Sequence, residues 1–135
     1  MKLTVFLSFH AIVLLAAGIA FALYGPLMLA FFAVPDTVTD ADTYWHVAAF
    51  ARMFGAGLFG LGILIWSLRK VVGALPPAAR RGVLAALLLA NLMSAFVAIT
   101  QQSAIWLSPA GWIATGLFAL LTLGCAYFLI AQPAQ

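Results

Sequence analysis

The chain has 135 residues, of which 67% are apolar and only 7% charged; six basic and three acidic residues leave a net charge of +3. A soluble domain carries roughly 25% charged residues, and a disordered chain combines high charge with low hydrophobicity, so both classes are excluded. What remains is an integral membrane protein of one domain.

The first apolar segment runs from about Leu3 to Tyr24, close to the ~20 residues a helix needs to cross ~30 Å of hydrocarbon. Lys2, this stretch and Ala20-Phe21-Ala22 imitate a secretory signal with a small-x-small cleavage site. The uninterrupted apolar length suits a spanning helix better. The segment continues without charge to Val34, too far for one straight crossing. Gly25-Pro26 supplies the break, because proline cannot continue the hydrogen-bond ladder. Leu27 to Val34 is therefore expected as a kinked extension or interfacial piece, ended by Pro35.

Three further segments follow, from about Tyr44 to Leu68, Gly82 to Gln102 and Pro109 to Ala131. All are continuously apolar, whereas a barrel strand would be about ten residues of alternating character. The backbone must satisfy itself in lipid, so the sequence predicts an all-α, integral membrane four-helix bundle. Short loops make sequential helices antiparallel, which gives an up-down-up-down order.

Charge sets the expected orientation. Lys2, Arg69, Lys70, Arg80 and Arg81 lie at the start and in the second loop, whereas Asp36, Asp40 and Asp42 all lie in the first loop. The positive-inside rule then places both termini and the Pro76-Pro77 loop in the cytoplasm. Tyr44, Trp45, Trp106 and Trp112 fall at the opposite interface, and Trp66 marks the cytoplasmic end of the second helix. The basic pairs read as topology determinants touching anionic headgroups, not as a nucleic-acid surface.

Small residues recur every seven positions: Ala11, Gly18 and Gly25 in the first helix, and Ala48, Gly55 and Gly62 in the second. Such stripes let helix backbones approach closely, so these two helices are expected to pack along them. The third helix offers Asn91, Ala95 and Ala98; the fourth offers Thr115 and Thr122, with Gly111 and Cys125 on a neighbouring line. Gly55-Ala56-Gly57-Leu58-Phe59-Gly60 matches the dinucleotide fingerprint by letter. That fingerprint works only at a strand-to-helix turn, so inside a spanning helix it reads as close packing.

Arg52 is the only charged side chain within a span, about 10 Å below Trp45 at 1.5 Å per residue. A buried arginine faces the bundle or a water cavity, or snorkels to the interface. Asp36, Asp40 or Asp42 could reach it from the first loop, and Thr100, Gln101 and Gln102 share its depth. The functional reading is an outer site for an anion, a lipid headgroup or a proton. The bland reading is a structural arginine that pins the first loop.

His10 and His46 lie at opposite ends of the membrane, roughly 20 Å or more apart, so they cannot share a metal or a haem. His10 shares a depth with Asn91, Thr122 and Cys125. This tier reads first as interhelical hydrogen-bond glue, with a single axial His10 ligand to a pigment or haem as the other role. No metal set is predicted, and the sequence leaves the cofactor unknown. Cys125 is the only cysteine, which rules out an internal disulfide, and no glutamate occurs anywhere. No carboxylate lies within a span, which argues against a proton-coupled carboxylate exporter and a carboxylate-rich dimetal enzyme.

The run Ala51-Arg52-Met53-Phe54-Gly55-Ala56, with Gly60, Gly62, Arg80-Arg81, Asn91 and Gly111-Trp112, resembles a broad class of small, mostly uncharacterised, four-span bacterial membrane proteins. The resemblance spans nearly the whole chain. It implies a four-helix bundle in a bacterial inner membrane and carries no catalytic or binding residues to transfer.

Three functions are weighed on these residues. The first is an accessory or stabilising subunit of a larger membrane assembly, or a self-associating bundle, in contact with lipid or pigment. The second is an oligomeric small-solute or anion transporter or channel, with Arg52, Gln101, Thr100 and a first-loop aspartate such as Asp42 at an outer vestibule. The third is a membrane-embedded enzyme or redox protein built on His10, Asn91 and Cys125. The expected partners are the lipid bilayer and other membrane subunits or a second copy, and no nucleic acid.

Overall fold

The computed structural model describes residues 2–34, 40–106 and 108–131. The protein is all-helical: α1 (Leu3–Leu23), α2 (Gly25–Phe31), α3 (Ala41–Leu68), α4 (Pro77–Ala104) and α5 (Pro109–Ile130), with one 3-10 turn at Val72–Ala74. The helices α1, α3, α4 and α5 are each long and apolar enough to cross a membrane. Over the described residues the chain is thus a multi-pass membrane bundle with four spans and one short helix beside them.

The break between α1 and α2 follows the Gly25-Pro26 signal. Pro26 has no N–H to offer the carbonyl one turn back, and the chain turns at Tyr24 before restarting as a seven-residue helix. The short helix closes in a Schellman arrangement. Ala33 N–H donates to Ala30 O and Val34 N–H to Leu29 O, both at 2.9 Å, and Ala33 takes the left-handed φ of 58° usually given to glycine. The expected stop at Pro35 lies outside the described residues.

Two spans begin earlier than their apolar stretches. The helix α3 starts at Ala41 because Asp40 caps it: Thr43 N–H and Thr43 Oγ1 each donate to its carboxylate at 2.9 Å. The helix α4 starts at Pro77, where the missing N–H is no loss because first-turn donors have no intrahelical partner anyway. Hydropathy marks where lipid begins; caps mark where the helix begins.

The bonds from Thr43 hold the Asp40 carboxyl below its ordinary value. A carboxylate depressed in the folded state contributes stability above its ordinary pKa of about 4 and loses it as pH falls through the lowered value. Acidifying from about pH 6 to below about pH 3 should therefore lower the protection of the Thr43 amide, taken as its exchange rate relative to the intrinsic rate at the same pH. Asp40→Ala should lower that protection at both ends of the range and remove its change with pH.

The four spans form two tight antiparallel pairs. In the first pair α1 and α3 meet along the small-residue stripes, with Ala11, Gly18 and Gly25 facing Ala48, Gly55 and Gly62, all buried. A Cβ placed on Gly18 would lie 2.5 Å from the backbone nitrogen of Phe59, and one on Gly55 would lie 2.8 Å from the carbonyl oxygen of Gly18. Only glycine permits this backbone approach, where dispersion and weak Cα–H contacts replace the hydrophobic drive that lipid removes. In the second pair α4 buries Asn91, Ala95 and Ala98, and α5 buries Gly111, Thr115 and Cys125.

The pairs join at two levels. At one end Phe6, Leu7 and Leu14 of α1 pack with Ile65, Val72, Leu84, Leu121, Cys125 and Phe128 in a single apolar core. Phe6 is the wedge: its ring centroid lies 5.3 Å from that of Phe128 and its edge fills the notch at Gly124. At the other end Phe32 lies against Trp106, with centroids 4.7 Å apart, and Ser108 Oγ donates to Phe31 O at 2.8 Å. The helix α3 packs on α1 and α2 and shares no extended seam with α4 or α5.

Candidate functional site

The tier expected from depth alone is assembled from three helices. His10 on α1 is 1% exposed, Asn91 on α4 is 4% exposed, and Cys125 on α5 is fully buried. Asn91 Nδ2 donates to Leu87 O at 2.7 Å and lies 3.8 Å from Cys125 Sγ. Asn91 lies within hydrogen-bonding reach of the His10 imidazole, and His10 Nδ1 is buried without a hydrogen-bond partner among the described residues. The Phe6 ring packs beside the imidazole, with centroids 5.9 Å apart. The apolar core that joins the two helix pairs thus encloses one polar group from each of three spans.

Thr122, expected in this tier, donates instead to Phe118 O of its own helix at 2.8 Å. A hydroxyl can close on the carbonyl one turn back, which leaves it little to offer a neighbour. Among the described residues no three His, Cys, Asp or Glu side chains come together as a metal set. His46 is exposed near the start of α3, with Nδ1 2.7 Å from Asp42 O, far along the bundle from His10.

The second expected group, around Arg52, is not brought together. Arg52 stands on α3, whereas Thr100 and Gln101 stand on α4, and those helices share no extended seam. Thr100 is exposed and donates to Val97 O at 2.8 Å. Gln101 is half-buried, and its neighbour Gln102 is the residue turned inward, with Oε1 buried, unpartnered and against Gly111. Thr115, one turn further along α5, also has a buried hydroxyl without a partner. Both were legible as continuations of a buried face: Gln102 follows Asn91, Ala95 and Ala98 at helical spacing, and Thr115 follows Gly111.

Nor do the aspartates hold Arg52. Both carboxylate oxygens of Asp40 are taken by Thr43. Asp42 lies ten residues before Arg52 on the same helix, about 15 Å along its axis. Asp36 lies outside the described residues. Arg52 is exposed on the α3 surface, and its stem runs across Gly25, where a Cβ would come within 3.1 Å of Cγ and 3.5 Å of Nε.

The remaining glycines of the α3 cluster have a different setting. Gly57 and Gly60 are exposed, and a Cβ on either would meet nothing within 4 Å. Ala56 beside them is exposed as well. The letters of the dinucleotide fingerprint thus divide between two faces of one helix: Gly55 against α1, Gly57 and Gly60 outward.

No protein-family model, no curated protein and no solved structure matches the chain. Its functional reading therefore rests on its own residues and their arrangement.

Proposed function

We propose that the protein is an accessory or self-associating subunit of a membrane assembly, and that it receives a neighbouring transmembrane helix on the outer face of α3. The observation that carries this reading is the exposed set Ala56, Gly57 and Gly60, where added side chains would touch nothing in the chain. The other face of α3 supplies the argument for the occupant. There Gly55 and Gly62 serve one purpose, the backbone-close approach of α1. A lipid-facing glycine in a helix lowers its stability by about 1 kcal/mol relative to alanine without improving contact with acyl chains. A second helix approaching as α1 does gives those positions a use.

In this reading the membrane is a bacterial inner membrane, with both termini and the 69–76 segment on the cytoplasmic side. Support comes from the basic residues at one end and from Trp45 and Trp112, both exposed, at the other. At the basic end the Arg69 guanidinium lies 3.3 Å from the centre of the Trp66 ring, a pairing suited to a headgroup interface. The transport reading gains no support from the placement of Arg52 and Gln101 on helices without a shared seam.

The test is mass measurement by light scattering in a mild detergent, with cross-linking in native membranes. The wild-type chain should run as a complex, with a second copy or with another membrane protein. Gly57→Leu combined with Gly60→Leu should weaken that association at least tenfold without lowering the thermal stability of the single chain. A wild-type chain that is monomeric under all conditions and cross-links to nothing would overturn the reading.

A further inference from the structure

We propose that Arg52 and the glycine notch at the α1–α2 break form a binding site for the phosphate of a phospholipid in the leaflet on the Trp45 side. The inference goes beyond the association of α3 with another helix and does not depend on it.

Position gives the first argument. The helix α3 has 28 residues, so it is about 42 Å long, which matches the bilayer with its headgroup regions. Arg52 lies eleven residues after the first residue of α3, Ala41, so its Cα is about 10 Å inside the hydrocarbon boundary. An arginine there cannot stay without an anion or water, because desolvating a guanidinium is costly. Among the described residues it has no ion pair, and Asp40 and Asp42 are engaged or out of reach for the reasons given above.

Most arginines in spans hold their stems straight up toward the interface. Here the stem lies over Gly25, with Nε passing close to where a Cβ would stand. Gly25 is buried at the turn that Pro26 imposes, so the α1–α2 break and the stem shape each other. Fixing the stem in this way orients the planar fork, whose five N–H donors match phosphate oxygens bidentately.

The surround decides which phosphate. Leu23, Tyr24, Leu27, Met53 and Phe54 are all exposed on the flanking turns. A free phosphate ion gains nothing from such a surface and loses its hydration there. A phospholipid satisfies both parts: its phosphate meets the guanidinium and its acyl chains cover the apolar residues.

Native mass spectrometry of the full chain released from vesicles of phosphatidylglycerol and phosphatidylethanolamine tests the site. The wild type should retain one phospholipid, and Arg52→Gln should retain it at least tenfold less. Arg52→Lys should fall between, since an ammonium keeps the charge but not the fork. Gly25→Leu, which fills the notch, should also reduce retention. Diacylglycerol with the same chains, which lacks the phosphate, should not be retained. Equal phospholipid retention by wild type and Arg52→Gln would overturn the proposal. So would tight binding of inorganic phosphate alone, which would make the site one for a free anion. Asp36→Asn should leave retention unchanged; a gain on that substitution would mean that the aspartate, not lipid, is the resident partner.

Discussion

Gly55→Leu is expected to lower the stability of the bundle by about 3 kcal/mol, the upper end of the range for overpacking. The magnitude follows from what the new side chain would meet. At Gly55 the obstructing atoms are all backbone: the Ala22 nitrogen is nearest, and the Gly18 carbonyl oxygen and the Phe21 carbonyl carbon follow, each 2.8 Å from an added Cβ. None can rotate away, so α1 and α3 must separate along their length. Gly62→Leu should be milder, because the first atom met there is Leu15 Cγ, part of a flexible side chain. Gly57→Leu should cost nothing and gain up to about 1 kcal/mol in helix propensity, since the new side chain meets nothing. Unfolding in mixed micelles by increasing SDS, followed by helical circular dichroism, checks all three. Equal losses at Gly55 and Gly57 would mean that glycine content matters and the seam does not.

Phe6→Ala is the second large effect, with an expected loss of about 3 kcal/mol. This is toward the lower end for deleting an aromatic ring, because the transfer term from water is reduced in a lipid-embedded core and mostly packing is lost. The ring touches Phe128, His10 and the Gly124 notch, so its removal loosens the joint between the two helix pairs without disturbing either seam. Cys125 gives a direct readout, because its fully buried thiol lies in the same core. Labelling by a membrane-permeant maleimide should accelerate at least tenfold in Phe6→Ala and little in Phe6→Leu. An unchanged labelling rate would show that the pairs are held together elsewhere.

Parts of this arrangement were legible in the sequence for stated reasons. The spans follow from uninterrupted apolar runs. The α1–α3 seam follows from small residues repeating every seven positions, which a helix places on one face. The meeting of His10, Asn91 and Cys125 follows from counting residues inward from charged or aromatic ends. Other parts needed the fold. Three polar residues in succession, Thr100, Gln101 and Gln102, point 100° apart, so choosing the inward one requires knowing which face of α4 is buried. The sequence alone does not separate Asp40 as a counter-ion for Arg52 from Asp40 as the N-cap of α3, the role it has through Thr43. A charge inside a span suggests an interior partner, yet Arg52 sits on the outside because α3 leans on α1 and leaves its far side open. That choice of neighbour is a tertiary property, set by how closely glycine stripes allow two backbones to come, and no single segment encodes it.

The two-pair construction also has a bearing on how the protein is made. Each seam joins spans that follow one another in the chain, and the first seam needs nothing from the second. Once α3 has entered the bilayer, α1 and α3 can lock together through their glycines while α4 and α5 are still being synthesised. The finished first pair then presents Phe6 and His10 as half of a joint, and α4 and α5 complete it on arrival. Each stage of insertion adds a pre-formed hairpin, so no helix has to be threaded between others already packed.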